Sequence, residues 1–401
     1  MSRTIIVSNR LPIKISNLDK SFEFSSTSGG LATGMKSIHK KNNFLWIGWP
    51  GIDKKSLGNN FAKAEKLLYK KNYIPVFLKK KEINDFYYGT SNEALWPLFH
   101  YFIEFSIFNK SHWKSYVNVN KKFADCVIKY AKKDDIVWVH DYQLLLCPSM
   151  IKTKRPDLTV GFFLHIPFPS FEIFRIFPWR EELLEGILGS DLIGFHTYDY
   201  VRHFLSSVKR ILKYDVIFNK INVGSREVLV DTFPMGIDYA KYNDAARKKN
   251  NQKKSEMSNL RLQLKDHKKT STDSKLILSI DRLDYTKGVI NRIKAFEIFL
   301  TNNPEYRGKV RLIMLTVPSR SDVDDYIKLK KQTDEIVGRV NGKFASVNWT
   351  PIWYYYRSMS FDELIDLYTI SDIAMITPVR DGMNLVAKEF VATRVKGDGV
   401  L

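Results

Sequence analysis

The stretch RDGMNLVAKE at residues 380–389, directly after the apolar run IAMIT at 373–377, decides the fold. A strand, a glycine-containing turn and a helix start together present free backbone N–H groups and the positive end of a helix dipole, which suits a phosphate. Gly382 lets the chain turn tightly. Leu385 and Glu389 are four apart and share a helix face, which puts a carboxylate one turn from the anion position, within reach of sugar hydroxyls. A competing reading makes Arg380 and Asp381 loop decoration and Glu389 a surface residue, because lone turns of this kind are common. One unit earlier the arrangement recurs in SIDRLDYTKG, 279–288, where Arg282 and Lys287 follow an apolar run and Gly288 opens a helical segment. Two fixed cations can stabilise the charge that develops on a departing diphosphate without a metal ion. The alternative pairs Arg282 with Asp281 or Asp284 at a helix cap.

Working outward, strand-length apolar runs alternate with segments of helical period, the pattern of βα units around mostly parallel sheets. Strands are expected at 4–8, 44–47, 73–78, 136–140, 160–164, 192–195 and 228–233, then at 276–280, 310–316 and 373–377. Between 239 and 274 the composition turns polar and lysine-rich. The expected organisation is therefore an α/β protein of two Rossmann-like domains, 1–240 and 275–401, joined by a polar segment 241–274 and offering a ligand cleft at the carboxyl ends of the strands. The final VKGDGVL stops where a further strand should start, so the second sheet is expected to be incomplete at its C-terminus.

The formal net charge of +20 admits nucleic acid, an acidic surface or phosphorylated substrates as partners. Lysine runs such as 79–81 read instead as solvated surface, and neither a nucleic-acid nor a membrane partner is expected. No window reaches the roughly 18 apolar residues of a membrane helix, and the N-terminus reads as a first strand rather than a leader. The two cysteines, Cys126 and Cys147, are too few for a disulfide framework or a zinc cluster, which points to a reducing, cytoplasmic setting. Asp322 and Asp324 have the D-x-D spacing of metal-dependent sugar transfer, but acids at a helix start explain them better, and no metal site is expected.

In the first half, Arg10 follows the first strand, and Ser28, Gly29 and Gly30 open a helix-like segment. His140 with Asp141, and His165 ahead of IPFP, sit at strand ends, where cleft residues belong, although lone histidines are more often structural. Phe86, Tyr87, Tyr88 and Trp96 are read either as sugar-stacking surfaces or as core.

Together, SNRLP (8–12), SGGL (28–31), LWPLFHY (95–101), VHDYQLLLCP (139–148), FFLHIPFP (162–169), RLDYTKG (282–288), PSR (318–320) and RDGMNLVAKE resemble the trehalose-6-phosphate synthase family of GT-B glycosyltransferases. The resemblance implies transfer of glucose from UDP-glucose, a co-substrate rather than a cofactor, to glucose 6-phosphate, with the α configuration retained and the departing phosphate helping to deprotonate the acceptor. It assigns the donor diphosphate to Arg282, Lys287 and the backbone of Leu385 and Val386, the ribose to Glu389, and a place near the donor to Gly29. Asp381 and His165 would touch the transferred glucose, and Arg10, Tyr87, Trp96, Asp141 and Arg320 the acceptor, with Arg10 and Arg320 at its phosphate. The implied partners are a second copy of the chain or a trehalose-6-phosphate phosphatase. Where the family reads YYNGFSN this chain has FYYGTSN at 86–92, and the family continues beyond Leu401. A GT-B transferase with another phosphorylated acceptor, such as glycerol 3-phosphate, or a non-catalytic regulatory subunit are the competing functions.

Overall fold

The computed structural model describes residues 2–18, 21–26, 44–269, 273–320 and 323–401. Two compact units divide at Met235 and Gly236.

The first unit is built on a nine-stranded sheet. Its strands are β1 (Thr4–Arg10), β4 (Phe44–Trp49), β5 (Tyr73–Pro75), β6 (Ile136–His140), β7 (Thr159–Phe163), β8 (Leu192–Phe195), β9 (Val216–Ile217), β10 (Lys220–Val223) and β11 (Arg226–Thr232). Their order is β5-β4-β1-β6-β7-β8-β11-β10-β9. Pairing is parallel from β5 through β11, while β10 and β9 add an antiparallel edge. β1 lies inside the sheet between β4 and β6, and its apolar run Ile5, Ile6, Val7 is fully buried, as a strand covered on both faces requires. Parallel register carries the carboxyl ends of the strands from β5 through β11 in that order to the same edge of the sheet. Arg10, Asp141 and His165 all lie at that edge, at or just beyond the ends of β1, β6 and β7.

A separate hairpin of β2 (Ile13–Leu18) and β3 (Ser21–Ser26) was not expected. Its residues alternate apolar and polar, so no apolar run marks it. Ile15, Phe22 and Phe24 pack against the cluster that contains Leu11, Trp46 and Leu68, which is what gives the hairpin one dry face.

The second unit has a four-stranded, all-parallel sheet in the order β14-β13-β12-β15, with β12 at Lys275–Arg282, β13 at Val310–Val317, β14 at Ile352–Tyr356 and β15 at Ile373–Ala374. β14, IWYYY, was missed because its aromatic run lies between polar stretches. β15 is shorter than the expected 373–377, although Met375 N–H still donates to Leu278 at 2.7 Å. Val400 bridges Ile373 in parallel, so the expected further strand position is occupied for one residue pair.

The segment 241–274 is not a connector. Residues Tyr239–Asn250 and Asn259–Lys269 are helices of the second unit, and they place Tyr242 and Leu264 in the same core as Leu278, Ile365 and Tyr368. A helix needs an apolar residue only every third or fourth position to bury one face, so the lysines between those positions stay outside and hide the pattern. A polar anchor supplements the apolar one. Asp366, completely buried on the helix Phe361–Ile370, accepts from Arg261 at 3.1 Å, Ser258 at 2.7 Å and Lys249 at 3.3 Å. Removing one side of a buried ion pair strands the other charge, at about 3–5 kcal/mol. Asp366→Ala is therefore expected to lower the unfolding free energy of the second unit by that amount in denaturant titrations, whereas Asp362→Ala, at the exposed end of the same network, should change it by less than about 0.5 kcal/mol.

Candidate active site

In the second unit the two phosphate-type turns are physically one object. β12 ends at Arg282, and Gly288 begins the helix Val289–Asn302 with φ +64°, a left-handed conformation that glycine takes without steric cost. A Cβ there would stand 2.7 Å from the Thr377 carbonyl oxygen, so the second turn packs directly on the first. The backbone N–H groups of Val379 and Arg380 both donate to the Thr286 carbonyl, at 2.9 and 3.3 Å.

Arg292 fastens this junction from beneath. Its guanidinium, 1% exposed, donates to Asp281 at 2.7 Å, to the Lys287 carbonyl at 3.0 Å, to Thr377 at 3.1 Å and to the Ser279 hydroxyl. Arg292 belongs to neither of the two turn motifs. Its signal was available: it sits within the buried stripe Val289, Arg292, Ile293, Phe296, Leu300, and a charge on the dry face of a helix needs a partner.

Lys287, 8% exposed, points its ammonium at Asp381 Oδ2, 2.6 Å away. Asp381 also receives its neighbour Gly382 N–H at 2.9 Å and Asn384 Nδ2 at 3.4 Å. Asn384 in turn caps the helix Leu385–Ala392 by accepting from Ala387 N–H at 2.9 Å. Leu385 and Val386 are thus the first-turn amides of a capped helix whose N-terminus adjoins the lysine–aspartate pair. One turn on, Glu389 accepts from Tyr242 at 2.9 Å and Tyr368 at 2.5 Å. Burial raises its pKa above the ordinary carboxylate value, against the pull of the two phenols. Tyr242 lies in the stretch taken for a connector, which is why this clamp went unseen.

The carboxylates offered to Arg282 as helix-cap partners each hold other groups as well. Asp281 holds Arg292, and Asp284, fully buried, holds Arg320 at 2.9 Å, Tyr326 at 2.8 Å and Thr286 N–H at 3.0 Å. Burial opposes the charge on Asp284, yet Arg320 and the nearby Arg282 hold its pKa below the usual range. Arg320 has a left-handed backbone, φ +46°, and a guanidinium packed among buried groups. Arg282 itself stands exposed at the strand end.

The first unit groups its candidates in two places. Arg10 lies 4.2 Å from the centre of the Trp49 ring and 6.0 Å from that of Tyr87, and Gly51 leaves the space its Nη1 occupies. Trp49 was not singled out in the sequence. Asn92 donates to the Tyr87 carbonyl at 2.7 Å and accepts from Tyr142 at 2.9 Å, tying this patch to the loop after β6. Trp96 lies deeper, 4% exposed, against His100 and Tyr142. Asp141, at φ +74°, accepts from the His165 N–H at 3.3 Å. His165 Nε2 is 3.0 Å from His140 Nδ1, and its ring is 5.6 Å from that of His196. Burial pushes the His140 pKa down to about 3, and burial with the neighbouring histidines holds His165 well below its ordinary value. Gly29 and Asp322 lie outside the described residues. Among the described residues no group of three or more His, Cys, Asp or Glu is placed to hold a metal ion, and no helix is long and apolar enough to cross a membrane.

Two parallel α/β units, one ending its strands in basic turns capped by a helix N-terminus, define a glycosyltransferase of the GT-B type. Comparison with known proteins places the chain within that class: it belongs to glycosyltransferase family 20, whose family model matches residues 2–401. It is 43% identical over 409 residues to the UDP-forming alpha,alpha-trehalose-phosphate synthase of Candida albicans, covering all of this chain and 83% of that protein. Among solved structures it resembles the Escherichia coli protein bound with UDP-2-fluoro glucose, with a TM-score of 0.85 at 31% identity, covering 100% of this chain and 83% of that one. It also resembles the UDP-forming synthase of Burkholderia xenovorans in complex with glucose-6-phosphate, with a TM-score of 0.82 at 29% identity over 98% and 82% of the two chains.

The histidine pair makes stability pH-dependent. An unfolded histidine takes up its proton near pH 6.5, whereas His140 in the folded chain resists protonation down to about 3. The unfolded state binds more protons throughout that window, so stability is full above pH 6.5 and falls as pH drops below it, by up to about 1.4 kcal/mol per pH unit for each such histidine. His140→Gln is expected to flatten the slope of unfolding free energy between pH 7.5 and 5.5, measured by denaturant titration at each pH. An unchanged slope would refute the assignment.

Proposed function

We propose that this protein transfers glucose from UDP-glucose to the anomeric hydroxyl of glucose 6-phosphate, forming alpha,alpha-trehalose 6-phosphate and UDP with retention at the donor carbon. The observation that carries the reading is the Lys287 ammonium fixed at 2.6 Å from Asp381 within two interlocked turns, beside the capped start of the helix Leu385–Ala392. An ammonium has three donors. One is engaged by Asp381, and the others are available to a diphosphate oxygen.

In this reading Arg282 and Lys287 hold the diphosphate with the amides of Leu385 and Val386. Glu389, oriented by its two tyrosines, accepts from the ribose hydroxyls. Asp381 and His165 orient the transferred glucose, and Gly29 lies near the donor. His165 is kept neutral by its surroundings, so it serves as a hydrogen-bonding group and not as a cation. Arg10, held on Trp49 beside Tyr87, receives the acceptor phosphate, with Asp141 on the sugar. Arg320, oriented by Asp284, is assigned to the acceptor phosphate as well. Trp96, deep against Tyr142, shapes the acceptor wall from behind.

The bond between the glucose anomeric carbon and the diphosphate oxygen breaks while that carbon bonds to the acceptor oxygen on the same face. The acceptor proton passes to the departing phosphate oxygen. Charge therefore builds on the diphosphate, where the two cations are preorganised, and such interactions act most strongly in the transition state. The product is a phosphate monoester, so a trehalose-6-phosphate phosphatase, alongside a second copy of the chain, is the partner this chemistry calls for. The cytoplasm is the proposed location, which suits two free thiols.

The direct test is UDP release from UDP-glucose with and without glucose 6-phosphate. Release that requires the acceptor is expected, and folded protein showing none would sink the proposal. Arg282→Ala removes one charged contact, about 1.5–3 kcal/mol, and should lower turnover roughly tenfold to over a hundredfold. Because Arg282 is exposed, its melting temperature should stay within about a degree of the parent protein, a small surface effect.

A further inference from the structure

The second unit holds a cation that the phosphate turns do not use. Arg311 is the second residue of β13, opposite Leu276, at the other end of β12 from Arg282, six residues and so roughly 20 Å away. It is 5% exposed. Its guanidinium carbon lies 3.9 Å from the centre of the Trp353 ring, and Nε donates to the Thr350 carbonyl at 2.9 Å. The other deeply buried arginines described above are paired with carboxylates: Arg261 with Asp366, Arg292 with Asp281, Arg320 with Asp284. Among the described residues Arg311 has no such partner. Burial lowers its pKa to about 10, opposed only by the Tyr355 phenol, so it remains charged at neutral pH.

Arg311 lines a cavity of about 800 Å³ beside the edge strand β14, shared with Gln263, His267, Asn348 and Trp353. His267, 6% exposed, is held neutral by burial and by Arg311, with its pKa lowered to about 4, so it can donate a hydrogen bond without adding charge. Asp266 also reaches this rim but is solvent-exposed, where water screens it.

We propose that this cavity binds a phosphate-bearing small molecule, gripped by the Arg311 fork and flanked by His267, at a site separate from the transfer chemistry. An uncompensated buried cation is costly, and an anion in the cavity supplies its missing partner. Stacking on Trp353 fixes the plane of the fork, which suits bidentate contact with an oxyanion. Donors from Arg311, His267, Gln263 and Asn348 come from a strand, a helix and a loop rather than from one plane. That favours a tetrahedral phosphate over a flat carboxylate.

The probe is inorganic phosphate, titrated calorimetrically into the full chain carrying Arg10→Ala, Arg282→Ala and Lys287→Ala, so that the proposed substrate sites are silenced. Binding at millimolar phosphate is expected to persist there and to weaken about tenfold or more when Arg311→Gln is added. In the otherwise unaltered chain, Arg311→Gln should leave turnover unchanged. Should that variant fold poorly, NMR titration of the parent chain gives an independent reading: phosphate should raise the His267 pKa from about 4. Absence of binding, binding indifferent to Arg311→Gln, or an unmoved His267 would overturn the site. Citrate binding as tightly as phosphate would overturn the phosphate assignment.

Discussion

The guanidinium of Arg292 is the contact on which the chemistry proposed for the second unit depends. The end of β12 with the turn through Lys287, and the exit from β15 some ninety residues later, are tied together by one planar cation that donates to all of them. A buried arginine in this position would be unfavourable without Asp281, and burial alone raises the Asp281 pKa while Arg292 opposes the rise. Each charge is tolerable because of the other, and their mutual hold converts two ordinary βα turns into a single rigid cradle. Preorganisation of this kind matters more for transfer than raw affinity, because groups already in place need not be reordered when charge develops.

The same logic of layered support recurs at several of the proposed site residues. Lys287 is aimed by Asp381, Asp381 by its own turn and Asn384, and Glu389 by Tyr242 and Tyr368. In the first unit Asn92 and Tyr142 bridge the Tyr87 patch to the loop that bears Asp141. Functional groups whose rotamers are fixed by such neighbours keep their geometry far better than groups standing alone on loops.

The legible part of this architecture was what repeats along one segment. Apolar runs located ten strands, and the two turns with their cations were readable because strand, glycine and helix start are contiguous. What stayed hidden was non-local. Arg292 needs partners on two other segments, and the Tyr242 clamp needs a helix 147 residues away from Glu389. The lysine-rich helices concealed their dry faces behind a polar composition, and the hairpin β2–β3 and the aromatic β14 lacked the unbroken aliphatic run by which the other strands announced themselves. Family resemblance named candidate side chains, but not what holds them.

Gly288 sets a boundary on how this protein can change. With the Thr377 carbonyl 2.7 Å from where its side chain would begin, the position admits no other residue without prying the two turns apart. Natural drift or laboratory selection for a different ligand at the proposed donor site must therefore travel through the side chains around the cradle, at Arg282, Glu389 and their neighbours. The backbone path itself is closed to variation.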